Sequence, residues 1–261
     1  MILYIFIVIS IFFNIFLFFF LFKKEIKKYF YKSKIESINI EDAHEIFHLK
    51  EISKNLKGPK NDVIVKSFSI SSNNKIVGMT SDKEAWIIAS LSKISKNIFE
   101  FGTCSGKTTY IMGLNSSDEA KITTITLSPN EINKINIKED DNKISFRNII
   151  NESIYNKFLF SGNNIEKKIK VIFKNSLEFN HEDYKDKIDL IFIDGGHTYS
   201  VVKNDSEKSF DMLTTKGIIL WHDYVPGKES AKDVVKYIHE ISKNKKIYHI
   251  KDTTLAYYKN E

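Results

Sequence analysis

The sequence predicts one α/β domain, an open, mostly parallel, doubly wound sheet, behind an N-terminal apolar helix. Three observations carry this. Short runs of β-branched and aromatic residues recur between helix-compatible stretches. One of them, residues 98–101, runs into the turn Gly102-Thr103-Cys104-Ser105-Gly106, and helix-compatible sequence resumes at Lys107. Two later runs, residues 190–193 and 217–221, end in Asp194 and in His222-Asp223. Ligands of open α/β sheets bind at the carboxyl ends of the strands, so these three ends mark the candidate site.

Composition bounds the reading. The 261 residues hold one such domain plus an appendage, and 42% apolar with 13% aromatic residues supply its core. Cys104 is the only cysteine, which excludes an intrachain disulfide and fits a reducing compartment. The net charge of +6 is almost all lysine, Arg147 being the single arginine. The lysines are spread along the chain with no basic stripe interleaved with aromatics, which argues against nucleic-acid binding.

Residues 1–22 are apolar except for Ser10 and Asn14. A helix of that length spans roughly 33 Å, enough for a bilayer core. There is no basic leader and no small-residue cleavage site, so a single-pass anchor is expected rather than a signal peptide. Lys23, Lys24, Lys27, Lys28, Lys32 and Lys34 follow. This flank places the remainder of the chain in the cytoplasm and can meet anionic lipid head groups. Residues 23–77 are expected to form a basic stalk and a helical region. Within it, residues 41–56 read as an amphipathic helix with Ile46, Phe47, Leu49 and Ile52 on one side.

Residues 78–261 form the main domain. Ser81-Asp-Lys-Glu84 is a capping box that starts a helix over 82–95. The strand at 98–101, the glycine turn and a crossover helix at 108–114 follow. The glycines are read as letting the backbone approach a ligand closely. The alternating, β-branched residues 121–127 are the second strand. An acid usually ends that strand to hold ribose hydroxyls, yet Thr126, Leu127 and Ser128 are not acidic. Residues 129–166 read as a mostly helical excursion, with Ile149, Ile150, Ile154, Phe158 and Leu159 on one face. The third strand, 168–173, leads to Asn175-Ser176, which either hydrogen-bonds a ligand or forms an Asx turn. Strands at 188–193 and 217–221 are expected to be neighbours, bringing Asp194, His197, His222 and Asp223 to one rim. A helix over 230–241 and strands at 246–250 and 254–258 complete the order. Asp205 reads as a solvated residue on the helix after Tyr199.

The turn excludes two nucleotide patterns as they stand. A P-loop needs four residues between its glycines, and Gly102 and Gly106 have three, although Lys107-Thr108 follow. The dinucleotide pattern fails at Cys104. What is met is acidic-x-Gly-x-x-x-Gly, from Glu100, Gly102 and Gly106. With Phe192-Ile-Asp-Gly-Gly-His197-Thr-Tyr199 and His222-Asp-Tyr224 in order after it, residues 78–258 resemble class I S-adenosylmethionine (SAM)-dependent methyltransferases of the FIDGxHxY…HDY type, related to catechol and caffeoyl-CoA O-methyltransferases.

The resemblance implies a Rossmann-like, seven-stranded sheet whose last strand is antiparallel. It implies SAM contacts at Glu100, Gly102, Thr103, Ser105, Gly106, Thr126, Asn175, Ser176, Asp194 and Gly195, and at the stretch Gly78-Met79-Thr80. It also implies a divalent cation, Mg or Mn, on Asp194, His222 and Asp223. Relatives mostly carry Asp-Asn where this chain has His222-Asp223, and an imidazole ligand favours Mn, Fe or Zn over Mg. His197 or His222 is the expected general base, since an imidazole with its ordinary pKa of ~6.5 takes a proton at neutral pH. The expected protein is a membrane-anchored SAM-dependent O-methyltransferase with a glycan, lipid-linked or secondary-metabolite hydroxyl as acceptor. The alternatives are a P-loop-like NTPase using Lys107-Thr108 and Asp194, and a non-catalytic SAM-binding module without the ribose acid.

Overall fold

The computed structural model describes residues 4, 9–18, 20, 33–40, 45–54, 56–60, 62–68, 80–134, 138–139 and 141–260. Its strands are β1 (Glu36–Ile38), β2 (Leu49–Ser53), β3 (Leu56–Pro59), β4 (Asn97–Phe101), β5 (Lys121–Thr126), β6 (Ile169–Phe173), β7 (Ile188–Ile193), β8 (Leu213–Trp221), β9 (Tyr248–Ile250) and β10 (Ala256–Lys259). The helices of the main domain are α1 (Asp82–Ser92), α2 (Lys107–Asn115), α3 (Lys143–Glu152), α4 (Tyr199–Met212) and α5 (Lys232–Ile241). One sheet runs β1-β9-β10-β8-β7-β4-β5-β6. Strands β6, β5, β4, β7 and β8 are mutually parallel, and β10 is antiparallel to both β8 and β9.

The central strands are apolar on both faces because helices cover both sides. In β7, Ile191 and Ile193 face one cluster with Phe99, Phe101, Ile219 and Trp221. Leu190 and Phe192 face the other, with Ile98, Leu220 and the α1 residues Ile87, Ile88 and Leu91. The period-two alternation of a strand thus divides one apolar run between two cores. The capping box at Ser81 and Glu84 is formed, with both reciprocal hydrogen bonds present.

Three expectations are corrected. Among the described residues the sheet has eight strands, not seven, because β1 pairs in parallel with β9. Three residues are too few to show a hydrophobic period, so β1 was hidden in a stretch read as stalk. Ser33 Oγ lies 2.8 Å from Tyr224 Oη, which is itself 2.7 Å from His239 Nε2, so this first strand is stitched beside Asp223.

The second correction concerns residues 41–56. Those described contain no helix; β2 and β3 pair there as an antiparallel hairpin. Phe47 and Leu49, two residues apart, are both buried against α1, whereas Ile52 is 57% exposed. A helix would have needed the three-to-four spacing. The third concerns 129–166. Its α-helical part is α3, which ends at Glu152, so Ile154 stands 55% exposed and Phe158 stacks on Phe160 in the loop beyond. The single helical face expected from Ile149 to Leu159 is not formed.

Residues 9–18 are helical with every side chain exposed. No helix among the described residues is long and apolar enough to cross a membrane. Residues 1–3, 5–8, 19 and 21–32, which include most of the expected span's ends and five of its six flanking lysines, lie outside the described residues, as do Gly78 and Met79.

Candidate active site

The site begins where β4 stops. Gly102 has φ +99°, and a Cβ there would lie 2.1 Å from the carbonyl oxygen of Asp194. Gly106 has φ +81°, and a Cβ there would lie 2.8 Å from Phe158 and from the Phe160 ring. Both glycines therefore make room for the protein itself. Gly102 lets the ends of β4 and β7 meet, and Gly106 lets the excursion loop close over the turn. This corrects the expectation that their missing Cβ atoms serve the ligand.

Glu100 lies beneath this turn and is fully buried. The hydroxyls of Thr109 and Thr124 donate to its Oε2, that of Thr124 at 2.6 Å, and Thr103 Oγ1 is 2.6 Å from Thr124 Oγ1. Glu100 and Thr103 are thus held in an internal chain of hydrogen bonds. Burial pushes the Glu100 carboxyl up to about 8, outweighing the two hydroxyls. Its folded value exceeds its ordinary value of 4.5, so the stability it contributes is full below 4.5 and is lost as pH rises through 8. Thermal unfolding between pH 6 and 9 is expected to show a falling Tm, and Glu100→Gln is expected to flatten that fall. An equally steep fall in the variant would contradict this.

Above the turn a cleft open to solvent runs along the strand ends. Gly102 and Cys104, Thr126, Asn175 and Ser176, and Asp194 and Gly195 line it from the sheet. Phe146, Ile149 and Glu152 of α3 close it from above. Of the expected cofactor residues, Glu100, Thr103, Ser105 and Gly106 lie outside that lining. The Asn175 side chain accepts from Leu177 N at 3.1 Å, so the Asx turn is formed at the cleft wall. Thr80, the described residue of the stretch 78–80, accepts at its carbonyl from Lys107 Nζ at 2.9 Å. Lys107 therefore secures the chain before α1, which disfavours the NTPase alternative.

Strands β7 and β8 pair with Ile193 opposite Trp221, so the residues after them emerge side by side. His222 Nδ1 is 3.1 Å from Asp194 Oδ1, and His222 Nε2 is 3.6 Å from Glu84 Oε2. His197 Nε2 is 3.2 Å from Asp223 Oδ2 and 3.8 Å from Asp194 Oδ1. Asp194, His197, His222 and Asp223 therefore meet on one rim. Both imidazoles are mostly buried, at 9% and 7% exposure. Burial alone would lower their pKa. The carboxylates around them prevail, Asp194, Asp223 and Glu152 pushing His197 up to about 9, and Asp194, Asp223 and Glu84 raising His222 well above its ordinary value. The same pairing holds Asp194 and Asp223 below the ordinary carboxylate range in spite of burial.

One donor atom each from Asp194, His197 and Asp223 lie within 4.8 Å of one another. The ring nitrogens His197 Nε2, His222 Nδ1 and His222 Nε2 are buried without a hydrogen-bond partner. Two carboxylates and an imidazole whose Nε2 lacks a hydrogen-bond partner fit a divalent cation of the Mn, Fe or Zn kind. The group with this geometry has His197 in place of the expected His222, which sits behind it, between Asp194 and Glu84.

Three residues of the site were not legible as such. Glu84 does more than cap α1: its Oε1 accepts from Thr254 N at 2.5 Å and from Thr254 Oγ1 at 2.8 Å. Glu152 lines the cleft, and burial pushes its carboxyl up to about 7, against the pull of His197. Asp205, expected in solvent, is 1% exposed in the cleft wall, and burial pushes it up to about 6. Asp205 lies on the buried face of α4 with Val202, Ser206, Ser209 and Met212, a spacing visible in the sequence.

Comparison with known proteins agrees with this architecture. Residues 99–224 match a family model described as a methyltransferase domain. No curated protein matches the sequence. A methyltransferase of Podospora anserina bound to S-adenosylhomocysteine (SAH), PaMTH1, is similar over 70% of this chain and 79% of its own, with 15% identity and a TM-score of 0.51. Cofactor-bound Rv0187 from MTB is similar over 70% and 81%, with 10% identity and a TM-score of 0.50. At these identities the likeness is one of fold.

Proposed function

We propose that this chain, of which residues 99–224 match a methyltransferase domain, transfers the methyl group of SAM to a hydroxyl oxygen at the cytoplasmic face of a membrane. The observation that carries this is the meeting of Asp194, His197, His222 and Asp223 at the ends of two neighbouring strands, beside a cleft that starts at Gly102.

SAM supplies an electrophilic methyl when bound. The residues lining the cleft from Gly102 to Ser176 hold the nucleoside, with Thr126 and Asn175 as polar partners where no acid follows β5. Asp194, His197 and Asp223 would hold a divalent cation, whose chemistry there would be to lower the pKa of an acceptor hydroxyl. His222, kept charged between Asp194 and Glu84, orients Asp194 and is a poor base. The Glu152 side chain faces the same cleft, and burial pushes its pKa up to about 7. It is the side chain suited to take the hydroxyl proton. Isothermal titration of SAM, with and without Mn²⁺, tests the reading. Saturable binding is expected, and heats no larger than dilution in both conditions would defeat it.

The anchor is part of the proposal. Ile9, Ile11, Phe12, Phe13, Ile15 and Phe16 are each at least 48% exposed on the N-terminal helix, which supports a lipid environment for it. A glycan or lipid-linked acceptor fits an enzyme held at that surface. A chain beginning at Ser33 is expected to move from the membrane to the soluble fraction and still bind SAH. Persistent sedimentation with membranes would count against the anchor.

A further inference from the structure

We propose that Asp205, with Asn204 and Lys208 of α4, sets the nucleoside end of the cleft by tying the loop after β6 to the end of β7. The inference rests on the methyltransferase reading and assigns a positioning role that the strand-end motifs do not contain.

The tie is explicit in the hydrogen bonds. Asn204 Nδ2 donates to the Ser176 carbonyl at 3.0 Å and to Asp205 Oδ1 at 2.8 Å. Lys208 Nζ donates to the same Ser176 carbonyl at 2.5 Å and reaches that of Leu177 at 3.4 Å. The Ser176 side chain and Asn204 both favour the charged form of the Asp205 carboxyl, against its burial. The other carboxyl oxygen lies against the end of β7: a Cβ on Gly195 would be 3.3 Å from Asp205 Oδ2. Positions 204, 205 and 208 fall on one side of a helix, so a single element holds the loop after β6 by hydrogen bonds and packs Asp205 against the end of β7.

A carboxyl group at 1% exposure is a costly choice for mere filling. The neighbouring buried positions Ser206 and Ser209 fill the same helix face with small hydroxyls that bond back to Val202 and Asp205 carbonyls. Asp205 instead reaches forward to the wall of the cleft. The chain also lacks the acid that would fix a ribose after β5, since Thr126, Leu127 and Ser128 stand there. Order at that end of the cleft therefore depends on the loop at 175–177, and that loop is held by α4. Without the tie, each binding event must also order the loop, and affinity falls.

Titration of SAH into the wild type, Asp205→Ala and Lys208→Ala tests this, with thermal unfolding of each. The expected result is a loss of SAH affinity of about tenfold or more in both variants, the scale of one or two lost hydrogen bonds. 5′-Methylthioadenosine, which lacks the amino-acid part, is expected to lose the same factor. A purely structural role would lower Tm and leave the affinity of the folded variants unchanged. Lys208 is only partly buried, so Lys208→Ala decides the matter should Asp205→Ala fail to fold. A folded Lys208→Ala that binds SAH within twofold of wild type overturns the proposal. A wild type that binds no SAH overturns the methyl-transfer reading beneath it.

Discussion

Gly102→Ala is expected to destabilise the domain by about 3–4 kcal/mol, a large share of the total stability of an ordinary domain. The added methyl would sit 2.1 Å from the Asp194 carbonyl oxygen, at a φ of +99° that side chains rarely adopt. Neither atom can yield cheaply. Asp194 N donates to the Phe101 carbonyl at 2.8 Å and Gly102 N donates to the Ile125 carbonyl at 2.9 Å, so both are sewn into the sheet. A shift of the turn would break the pairing of β4 with its neighbours on both sides. For a chain of this size the loss corresponds to a fall in Tm of roughly 10 °C. Gly162→Ala is the control, because φ there is +77° but a Cβ would meet nothing within 4 Å. It isolates backbone strain, on the order of 1 kcal/mol. Equal shifts in the two variants would show that the contact with Asp194 is immaterial.

Asp194→Asn is expected to reduce methyl transfer by about 10²- to 10³-fold, the scale on which removal of one preorganised charged or polar group acts. Its carboxylate stands 3.1 Å from His222 and 3.8 Å from His197, and is one of three groups that can share a cation. The amide keeps the shape and loses the charge that both imidazoles answer. The rate is measured as incorporation of labelled methyl from SAM into hydroxyl acceptors of a membrane extract. Mn²⁺ affinity, read by electron paramagnetic resonance, is expected to fall in parallel. A variant that keeps both within tenfold of the wild type would remove Asp194 from the mechanism.

Much of the frame can be read from the residues because the central strands are buried on two faces. Runs such as Leu190-Ile-Phe-Ile193 admit few other placements, and the capping box and the acids after β7 and β8 are positional signals. The failures have a common physical source. β1 and the β2–β3 hairpin are too short for periodicity to compete with local noise. The end of α3 depends on Phe158 and Phe160 folding back under Gly106, a contact between distant segments. At the site, position along the chain indicates which residues approach one another but not which ring nitrogen meets which carboxylate. His197, and not the expected His222, joins Asp194 and Asp223 for that reason. Glu84 shows the same limit: the capping box explains one carboxylate oxygen, and the other serves Thr254, 170 residues away.

On the proposed anchoring, the docking of β1 would limit how far the domain can work from a bilayer. Ser33 is fastened to Tyr224, and an apolar span ending at Phe22 leaves ten intervening residues. Even fully extended, such a leash reaches only about 33–36 Å. The proposed anchor would then confine the cleft to a thin shell beside the membrane, where the concentration of surface-bound acceptors is high and that of freely diffusing ones is ordinary. Lengthening the leash with a flexible insert before Ser33 would relax that bias without touching a single catalytic group.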